Sequence, residues 1–307
     1  MDKIVKALKN PRHAIHVVMS QLLKINLRAN FFSHAKEYRS DSENGKYASA
    51  VINALKNQKA FDNFKRSYSY RDILEHVSED QGKQYLRILE SRNDGILAAA
   101  IDTVLTSDYI GNPIKFKYEK YSKPLSPTTL RYLKVASDLK ILFGSDLGQV
   151  AEIGCGYGGQ TLVNDQLLNV KSVSLLDLPF VNKLINRYLN THLLKGAYYT
   201  SVINKEIPQD YDLVISNYAF SELPKNVQLA YIEKVLSKAK RGYLTMNSGL
   251  GNKRSNGKLS LDELRDLLPK FLVIEEEPLT MEQNYLIVWG YSKELLENNF
   301  KTRNLEI

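Results

Sequence analysis

The residues best suited to bind a ligand lie in a glycine-rich turn that follows an apolar segment. Within residues 150–159, Gly154, Gly156 and Gly159 fit the spacing G-x-G-x-x-G. Such a turn lets the backbone pass close to a ligand and directs the N-terminus of the following helix at it. Glu152 precedes the turn, and its carboxylate favours a cationic partner over the pyrophosphate of a dinucleotide. The alternative is a tight strand–helix turn that binds nothing.

A second acidic residue follows the next apolar segment. Residues 172–177 form a short, largely apolar stretch that ends in Asp177. An acid at the tip of a second strand suits the two hydroxyls of a ribose. NAD enzymes use the same device, so Asp177 alone does not identify the cofactor. Asp177 also suits the N-cap of a helix after Pro179, and the two roles are compatible.

Strands and helices alternate from residue 149 onwards, which predicts a mostly parallel sheet covered on both faces. The predicted strands are 149–154, 172–177, 197–202, 212–217, 242–247, 271–276 and 284–291, and the predicted helices are 159–168, 180–193, 225–239 and 260–268. A short connection without a helix joins the last two strands, so we expect the last strand to run in reverse. We therefore predict an α/β fold with a seven-stranded, Rossmann-like sheet and a reversed last strand.

The part of the chain before the sheet reads as helical. Ser78 and Gln81 form a plausible capping box. Ser126–Pro127 is a strong helix start, with a serine N-cap and proline at the first helical position. We predict two parts: a helical N-terminal lid and substrate region over residues 1–144, and a ligand-binding α/β domain over residues 145–307.

Composition and charge narrow the function classes. The chain of 307 residues carries a net charge of +8, and residues 1–28 hold six basic residues against Asp2 alone. This basic and partly apolar segment suits contact with anionic lipid or a partner protein, or packing on its own domain. No recognised nucleic-acid-binding motif accompanies the charge, so we expect no nucleic-acid partner. Cys155 is the only cysteine. With no membrane-spanning apolar run and no secretory signal, we expect a cytoplasmic protein.

Three features of the sheet region carry a family resemblance: the glycine turn, Asp177 and the stretch Asp212–Asn217. Through them, residues 149–291 resemble the class I S-adenosylmethionine-dependent methyltransferases. Finer features resemble bacterial sugar O-methyltransferases found with surface-polysaccharide synthesis. These finer features are Glu152–Gly159, Asp177–Pro179, Ser216–Leu223 and Ser126–Tyr132. The first part of the chain fits this family poorly.

The resemblance implies S-adenosylmethionine as the cofactor, bound by loops that follow the strands. The implied cofactor contacts are Arg131, Glu152, Gly154, Cys155, Gly156, Tyr157, Asp177, Leu178, Ser201, Val202, Asn217 and Tyr218. The implied substrate contacts are Tyr121, Tyr132, Asn247 and Glu282. Glu222 is expected to act as general base, with His192 as the other candidate. The alternatives are an N-terminal helix acid for Glu222 and a structural role for His192. No metal site is predicted.

We therefore expect an enzyme that transfers a methyl group from S-adenosylmethionine to a hydroxyl of a saccharide or glycoconjugate, in surface-polysaccharide biosynthesis. Two alternatives remain open. One is an NAD-dependent oxidoreductase with a Rossmann domain, against which Glu152 and the reversed last strand count. The other is a non-catalytic assembly partner of a polysaccharide-synthesis complex, which would use the basic N-terminal segment.

Overall fold

The computed structural model describes most of the chain. The described residues are 45–103, 108–205, 207, 210–247, 257–281, 284–291 and 299–300, without the side chains of 102 and 103. The basic segment 1–28 and Glu282 therefore lie outside the described residues. Within the described part, every helix is too short or too polar to cross a membrane.

A layer of helices precedes the sheet. Its helices are α1 (Gly45–Lys56), α2 (Gln58–Asp62), α3 (Tyr68–Arg71), α4 (Glu79–Arg92), α5 (Ile96–Thr103) and α6 (Pro127–Phe143), with a 3-10 turn at Phe64–Arg66. Both predicted helix starts are present. Ser78 and Gln81 form the capping box of α4, and the Ser126 side chain accepts from the Thr129 backbone ahead of Pro127. These local hydrogen bonds satisfy backbone donors that the first helical turn leaves open.

Seven strands form the sheet. They are β1 (Asp146–Ile153), β2 (Asn169–Leu176), β3 (Ala197–Ser201), β4 (Leu213–Asn217), β5 (Arg241–Met246), β6 (Leu272–Glu275) and β7 (Tyr285–Trp289). Their order is β3-β2-β1-β4-β5-β7-β6. Strands β1 to β5 pair in parallel, while β7 runs antiparallel to both of its neighbours. This order and the reversed β7 define the Rossmann-like fold of class I methyltransferases, which confirms the predicted fold class.

Helices connect most of the strands. They are α7 (Gly159–Leu167), α8 (Pro179–Leu189), α9 (Ala219–Glu222), α10 (Lys225–Lys234) and α11 (Leu261–Leu267), with a 3-10 turn at Leu236–Lys238. Right-handed crossovers place α7 and α8 on one face, because β1, β2 and β3 progress towards one edge. The chain then crosses back to β4, so the later helices lie on the opposite face.

One face of the sheet has a polar cleft beside the connection between β3 and β4, where no helix was predicted. The described part of this connection contains no helix. The cleft has a volume of about 310 Å³, and Gln149, Ser172, Ser174 and Tyr199 help to line it. The strand register places these residues in adjacent rows. The side chains in these rows are mostly polar because no described helix offers them an apolar surface.

The helical layer and the sheet share one hydrophobic cluster. Buried side chains from α1, α4 and α6, such as Val51, Leu89 and Leu139, belong to the same cluster as Val173 and Ile215 of the sheet. The predicted boundary at residues 144 and 145 stays a prediction.

Candidate functional site

The candidate site lies at the carboxyl edge of the sheet. The order of the strands reverses between β1 and β4, so the loops after these two strands diverge and leave a crevice. Gly154 and Asn217 begin those loops. Asp177 follows β2, and β6 ends at this edge too because it runs parallel to β5.

The glycine turn packs closely against the loop after β4. Gly154 has a φ of +71° and Gly156 a φ of +60°, values that L side chains rarely adopt. A Cβ on Gly154 would lie 2.0 Å from the Cβ of Ala219. The turn therefore requires glycine both for its backbone angles and for the approach of α9. Cys155 within the turn is buried and donates its thiol to the Glu152 carbonyl at 3.0 Å.

Asp177 is held in place by backbone donors. The amide of Leu178 donates to one carboxylate oxygen at 2.7 Å, and the amide of Gly156 donates to the other at 3.2 Å. Burial raises the pKa of Asp177 to about 6, although these backbone bonds oppose the shift. The residue remains half-exposed, as do Leu178, Ser201 and Val202 beyond it. The N-cap of α8 is Leu178 rather than Asp177, so the carboxylate faces the glycine turn.

Glu152 lies beneath the turn. Only 3% of the residue is exposed, and its carboxylate accepts a short hydrogen bond from the Thr161 hydroxyl on α7. Burial raises its pKa to about 7, against the effect of that bond. The structure thus joins Glu152 to a helix side chain, and its predicted contact with a ligand stays a prediction.

The helical layer covers one side of the glycine turn. The Leu74 side chain would lie 3.0 Å from a Cβ on Gly156, and Arg131 donates to the Leu74 carbonyl at 3.4 Å. Tyr132 is buried against Tyr157, with ring centroids 6.1 Å apart. Three predicted residues, Arg131, Tyr132 and Tyr157, therefore meet around the turn.

The loop after β4 has a strained residue. Tyr218 has a φ of +68°, which is unusual for a bulky residue and is often found at functional sites. Its hydroxyl donates a short hydrogen bond to Glu276, a buried acid that also accepts from the Thr280 amide at 2.9 Å. Burial and the neighbouring Glu276 raise the pKa of Tyr218 well above its usual value. Sequence reasoning missed Glu276, although it follows β6 as Asp177 follows β2.

The two candidate bases lie in different places. Glu222 ends α9 at the carboxyl edge, is exposed, and accepts from the Asn247 side chain at 2.6 Å. The structure thus pairs the predicted base with a predicted substrate contact. The N-cap of the next helix is Pro224.

His192, the other candidate base, lies apart from Glu222. It follows α8, which returns from the end of β2 towards the start of β3, so its position is near the amino edge of the sheet. The ring packs against Tyr188 with centroids 4.9 Å apart, and burial lowers its pKa. These contacts favour a structural role, and the role of His192 as a base stays a prediction.

Tyr121 is likewise not brought to the crevice. Its hydroxyl donates to Glu90 on α4 at 3.1 Å, and its ring packs against the main hydrophobic cluster. Its polar tip is engaged at that position, and its predicted substrate contact stays a prediction.

The space beside Tyr218 is nearly filled. Thirteen residues line it: Tyr85, Arg131, Tyr132, Lys134, Val135, Asn217, Tyr218, Tyr243, Thr245, Glu276, Glu277, Pro278 and Leu286. The room left among them suits one or two water molecules. Asn217 projects a buried amide oxygen that has no hydrogen-bond partner among the described residues. In the described part of the chain, no group of three or more His, Cys, Asp or Glu residues could hold a metal ion.

The known proteins that are similar to this chain are distant from it. No protein-family model matches the chain, and no curated protein matches it. Solved structures that are similar include the magnesium protoporphyrin IX methyltransferase of Synechocystis PCC 6803 with bound SAH. It is 15% identical, with 52% of this chain and 81% of that chain covered and a TM-score of 0.39. A second is the N-methyltransferase NodS of Bradyrhizobium japonicum in complex with S-adenosylhomocysteine, at 13% identity, 52% and 85% coverage and a TM-score of 0.39. A third is a SAM-dependent methyltransferase of Aquifex aeolicus, at 17% identity, 52% and 96% coverage and a TM-score of 0.36. At these scores, the assignment of the fold rests on the strand order itself.

Proposed function

We propose that the chain is an S-adenosylmethionine-dependent methyltransferase that acts on a hydroxyl of a saccharide or glycoconjugate. The observation that carries the proposal is the setting of Asp177. Its two carboxylate oxygens are oriented by the amides of Gly156 and Leu178, yet the residue stays half-exposed at the crevice. A carboxylate fixed in this way can still accept from a pair of ribose hydroxyls.

The residues present fit a nucleoside cofactor with an amino-acid tail. Gly154 and Gly156 keep the turn free of side chains, and Asn217 offers a buried amide oxygen without a partner. Leu178, Ser201 and Val202 form a partly exposed rim beyond Asp177, where an adenine ring would be flanked. When bound, S-adenosylmethionine supplies an activated methyl group.

The residues of the chain would then align the acceptor and remove its proton. A sugar hydroxyl is a poor nucleophile at neutral pH, so a positioned base accelerates its reaction. Glu222 is an exposed carboxylate at this edge, and the Asn247 amide fixes one of its oxygens. We assign Glu222 as the base and Asn247 as the residue that positions it.

Aromatic side chains support a saccharide as the acceptor. Tyr85, Tyr132, Tyr218 and Tyr243 line the space beside Arg131. Aromatic faces with polar tips suit sugar rings, which present both C–H faces and hydroxyls. We extend the proposal to surface-polysaccharide biosynthesis in the cytoplasm on the resemblance in the glycine turn and the loop after β4.

Binding of S-adenosylhomocysteine to Asp177→Ala tests the proposal. We expect the substitution to weaken binding by about 1–3 kcal/mol, because charge-assisted hydrogen bonds to the ribose are lost. Isothermal titration calorimetry measures this change. Asp210→Ala is the matched control, because Asp210 is exposed and lies in the β3–β4 connection.

If Asp177→Ala and the native protein bound S-adenosylhomocysteine with equal affinity, Asp177 would not contact the ribose. The main support for the proposed cofactor would then be lost. The acceptor class is tested separately by donor turnover with UDP-glucose, UDP-galactose and short oligosaccharides. Turnover with a protein or small-amine acceptor and with no saccharide would contradict that part of the proposal.

A further inference from the structure

Glu75 is a partly buried acid that sequence reasoning did not single out. One of its carboxylate oxygens, Oε1, is buried and has no hydrogen-bond partner among the described residues. Thr128, at the start of α6, lies within hydrogen-bond reach of the carboxylate. A buried carboxylate oxygen without a donor is costly, so its setting calls for an additional donor.

The position of Glu75 relates it to the glycine turn. Its neighbour Leu74 lies over Gly156, whose amide donates to Asp177. Arg131 donates to the carbonyl of the same Leu74. Glu75 and Arg131 are thus connected to one short peptide segment that covers the turn.

The charges around Glu75 are balanced before any ligand binds. Lys65 is buried, with its ammonium group 4.3 Å from the centroid of the Tyr157 ring. Asp108 is buried and accepts from the Thr129 hydroxyl at 2.6 Å. Two cations, Lys65 and Arg131, therefore accompany two acids. A zwitterionic group would preserve this balance, whereas a simple anion or cation would disturb it.

The order of the loops indicates which part of a ligand reaches this cluster. The ends of β3, β2 and β1 follow one another along the sheet. With an adenine at Ser201 and Val202 and a ribose at Asp177, the rest of the ligand must cross the glycine turn. Its far end then meets the side of the turn that Leu74 covers.

We propose that Glu75 and Arg131 bind the amino-acid end of the cofactor, with Glu75 accepting from the ammonium group and Arg131 binding the carboxylate. This inference rests on the proposed function. It transfers to Glu75 the contact that the sequence predicts for Glu152, whose carboxylate bonds to Thr161. Burial raises the pKa of Glu75 to about 7, and an adjacent ammonium group would favour its ionised form.

A binding cycle that changes both the protein and the ligand tests the proposal. The ligands are S-adenosylhomocysteine and S-(3-carboxypropyl)-5′-thioadenosine, which keeps the carboxylate and lacks the amine. Loss of the amine should weaken binding to the native protein about 10- to 100-fold. The same loss should have little effect in Glu75→Gln, because the partner of the amine is already gone.

Two further measurements separate a ligand contact from a structural effect. Methylthioadenosine lacks the whole amino-acid end, so Glu75→Gln should bind it within about threefold of the native affinity. Glu119→Gln is the matched control, because Glu119 is exposed. If Glu75→Gln does not fold, the two ligands are compared on Thr128→Val, which lacks the hydroxyl that supports Glu75. Removal of the amine should then weaken binding by a smaller factor than it does in the native protein.

Several results would overturn the proposal. One such result is that removing the amine from the ligand weakens binding to the native protein and to Glu75→Gln by the same factor. Another is that Glu75→Gln binds neither S-adenosylhomocysteine nor methylthioadenosine. If removal of the amine weakened binding to Glu75→Gln but not to Glu152→Gln, the contact would belong to Glu152. If the native protein binds neither S-adenosylhomocysteine nor methylthioadenosine, the proposed function itself fails, which is a distinguishable outcome.

Discussion

Three acidic side chains near the glycine turn have a raised pKa. Burial raises the pKa of Glu75 and Glu152 to about 7 and that of Asp177 to about 6. None of them has a described ion pair within 4 Å. Because the charged form of each acid is disfavoured by desolvation, a cationic or hydroxyl-rich ligand would stabilise that form.

Glu152→Gln should change how stability depends on pH. The pKa of Glu152 rises from 4.5 in the unfolded chain to about 7 in the folded protein. The folded state therefore binds more protons between these values, and the free energy of unfolding falls as pH rises through this window. Glutamine keeps an acceptor for Thr161 without the charge. We expect Glu152→Gln to be more stable than the native protein at pH 8 and to lose that advantage near pH 4.5.

Urea denaturation at the two pH values measures this difference. A stability difference of the same size at both would show that Glu152 does not titrate in that range. It would also show that burial of the carboxylate does not raise the pKa of Glu152.

Glu222→Gln tests the assignment of the base. The amide keeps an acceptor oxygen for Asn247, so the local geometry should persist. We expect turnover to fall roughly a hundredfold or more, because the base is lost. Affinity for S-adenosylhomocysteine should stay nearly unchanged. Turnover is measured with whichever saccharide acceptor is used by the native protein, and His192→Gln serves as the comparison. Undiminished turnover in Glu222→Gln would transfer the role to another group at this edge, such as the Tyr218–Glu276 pair.

At the scale of elements, the site depends on how the β1–α7 turn meets α9. A Cβ on Gly154 would overlap that of Ala219. The φ of Gly154 adds strain for any other residue. Two separable costs thus enforce glycine at this position.

Gly154→Ala together with Ala219→Gly separates these costs. We expect Gly154→Ala alone to lower the free energy of unfolding by more than about 2 kcal/mol and to abolish measurable binding of S-adenosylhomocysteine. Adding Ala219→Gly removes the overlap but not the backbone strain, so stability should recover in part. Thermal or urea denaturation of the three variants gives the comparison. Full recovery would show that the backbone angle costs nothing, and no recovery would show that packing against α9 is unimportant.

The sequence predicted those elements whose signals are local. All seven strands were predicted, and Ser78 and Ser126 begin their helices as expected. Capping hydrogen bonds and apolar runs depend on residues within a few positions of one another. The loops after β1, β2 and β4 could be placed at one edge because parallel strands end together.

The sequence did not predict the residues that reach the site from distant segments. Leu74 covers Gly156 of the glycine turn, and Glu75 follows it, although both lie about eighty residues earlier in the chain. Their contribution depends on how α6 packs against the sheet, which no local pattern encodes. No helix was predicted for the β3–β4 connection, but the polar cleft that lies beside it was not predicted.

At the scale of the whole molecule, arginine side chains connect the two layers. Arg241 at the start of β5 donates to the carbonyls of Phe143, Asp146 and Leu147, where α6 passes into β1. Arg187 on α8 donates to the carbonyls of Ala54 and Leu55, at the end of α1. These bonds satisfy carbonyl groups at helix ends and fix the helical layer against the sheet. We therefore expect the helical layer to stay in place at these contacts when a ligand binds.

The central claim is that a nucleoside with a zwitterionic amino-acid end, rather than a dinucleotide, binds at the β1–β4 crevice. Parallel calorimetric titrations of the native protein with S-adenosylhomocysteine and with NADH test it most directly. The account predicts one-to-one binding of S-adenosylhomocysteine with a Kd in the micromolar range or below, and no heat from NADH. Saturable binding of NADH together with no binding of S-adenosylhomocysteine would contradict it.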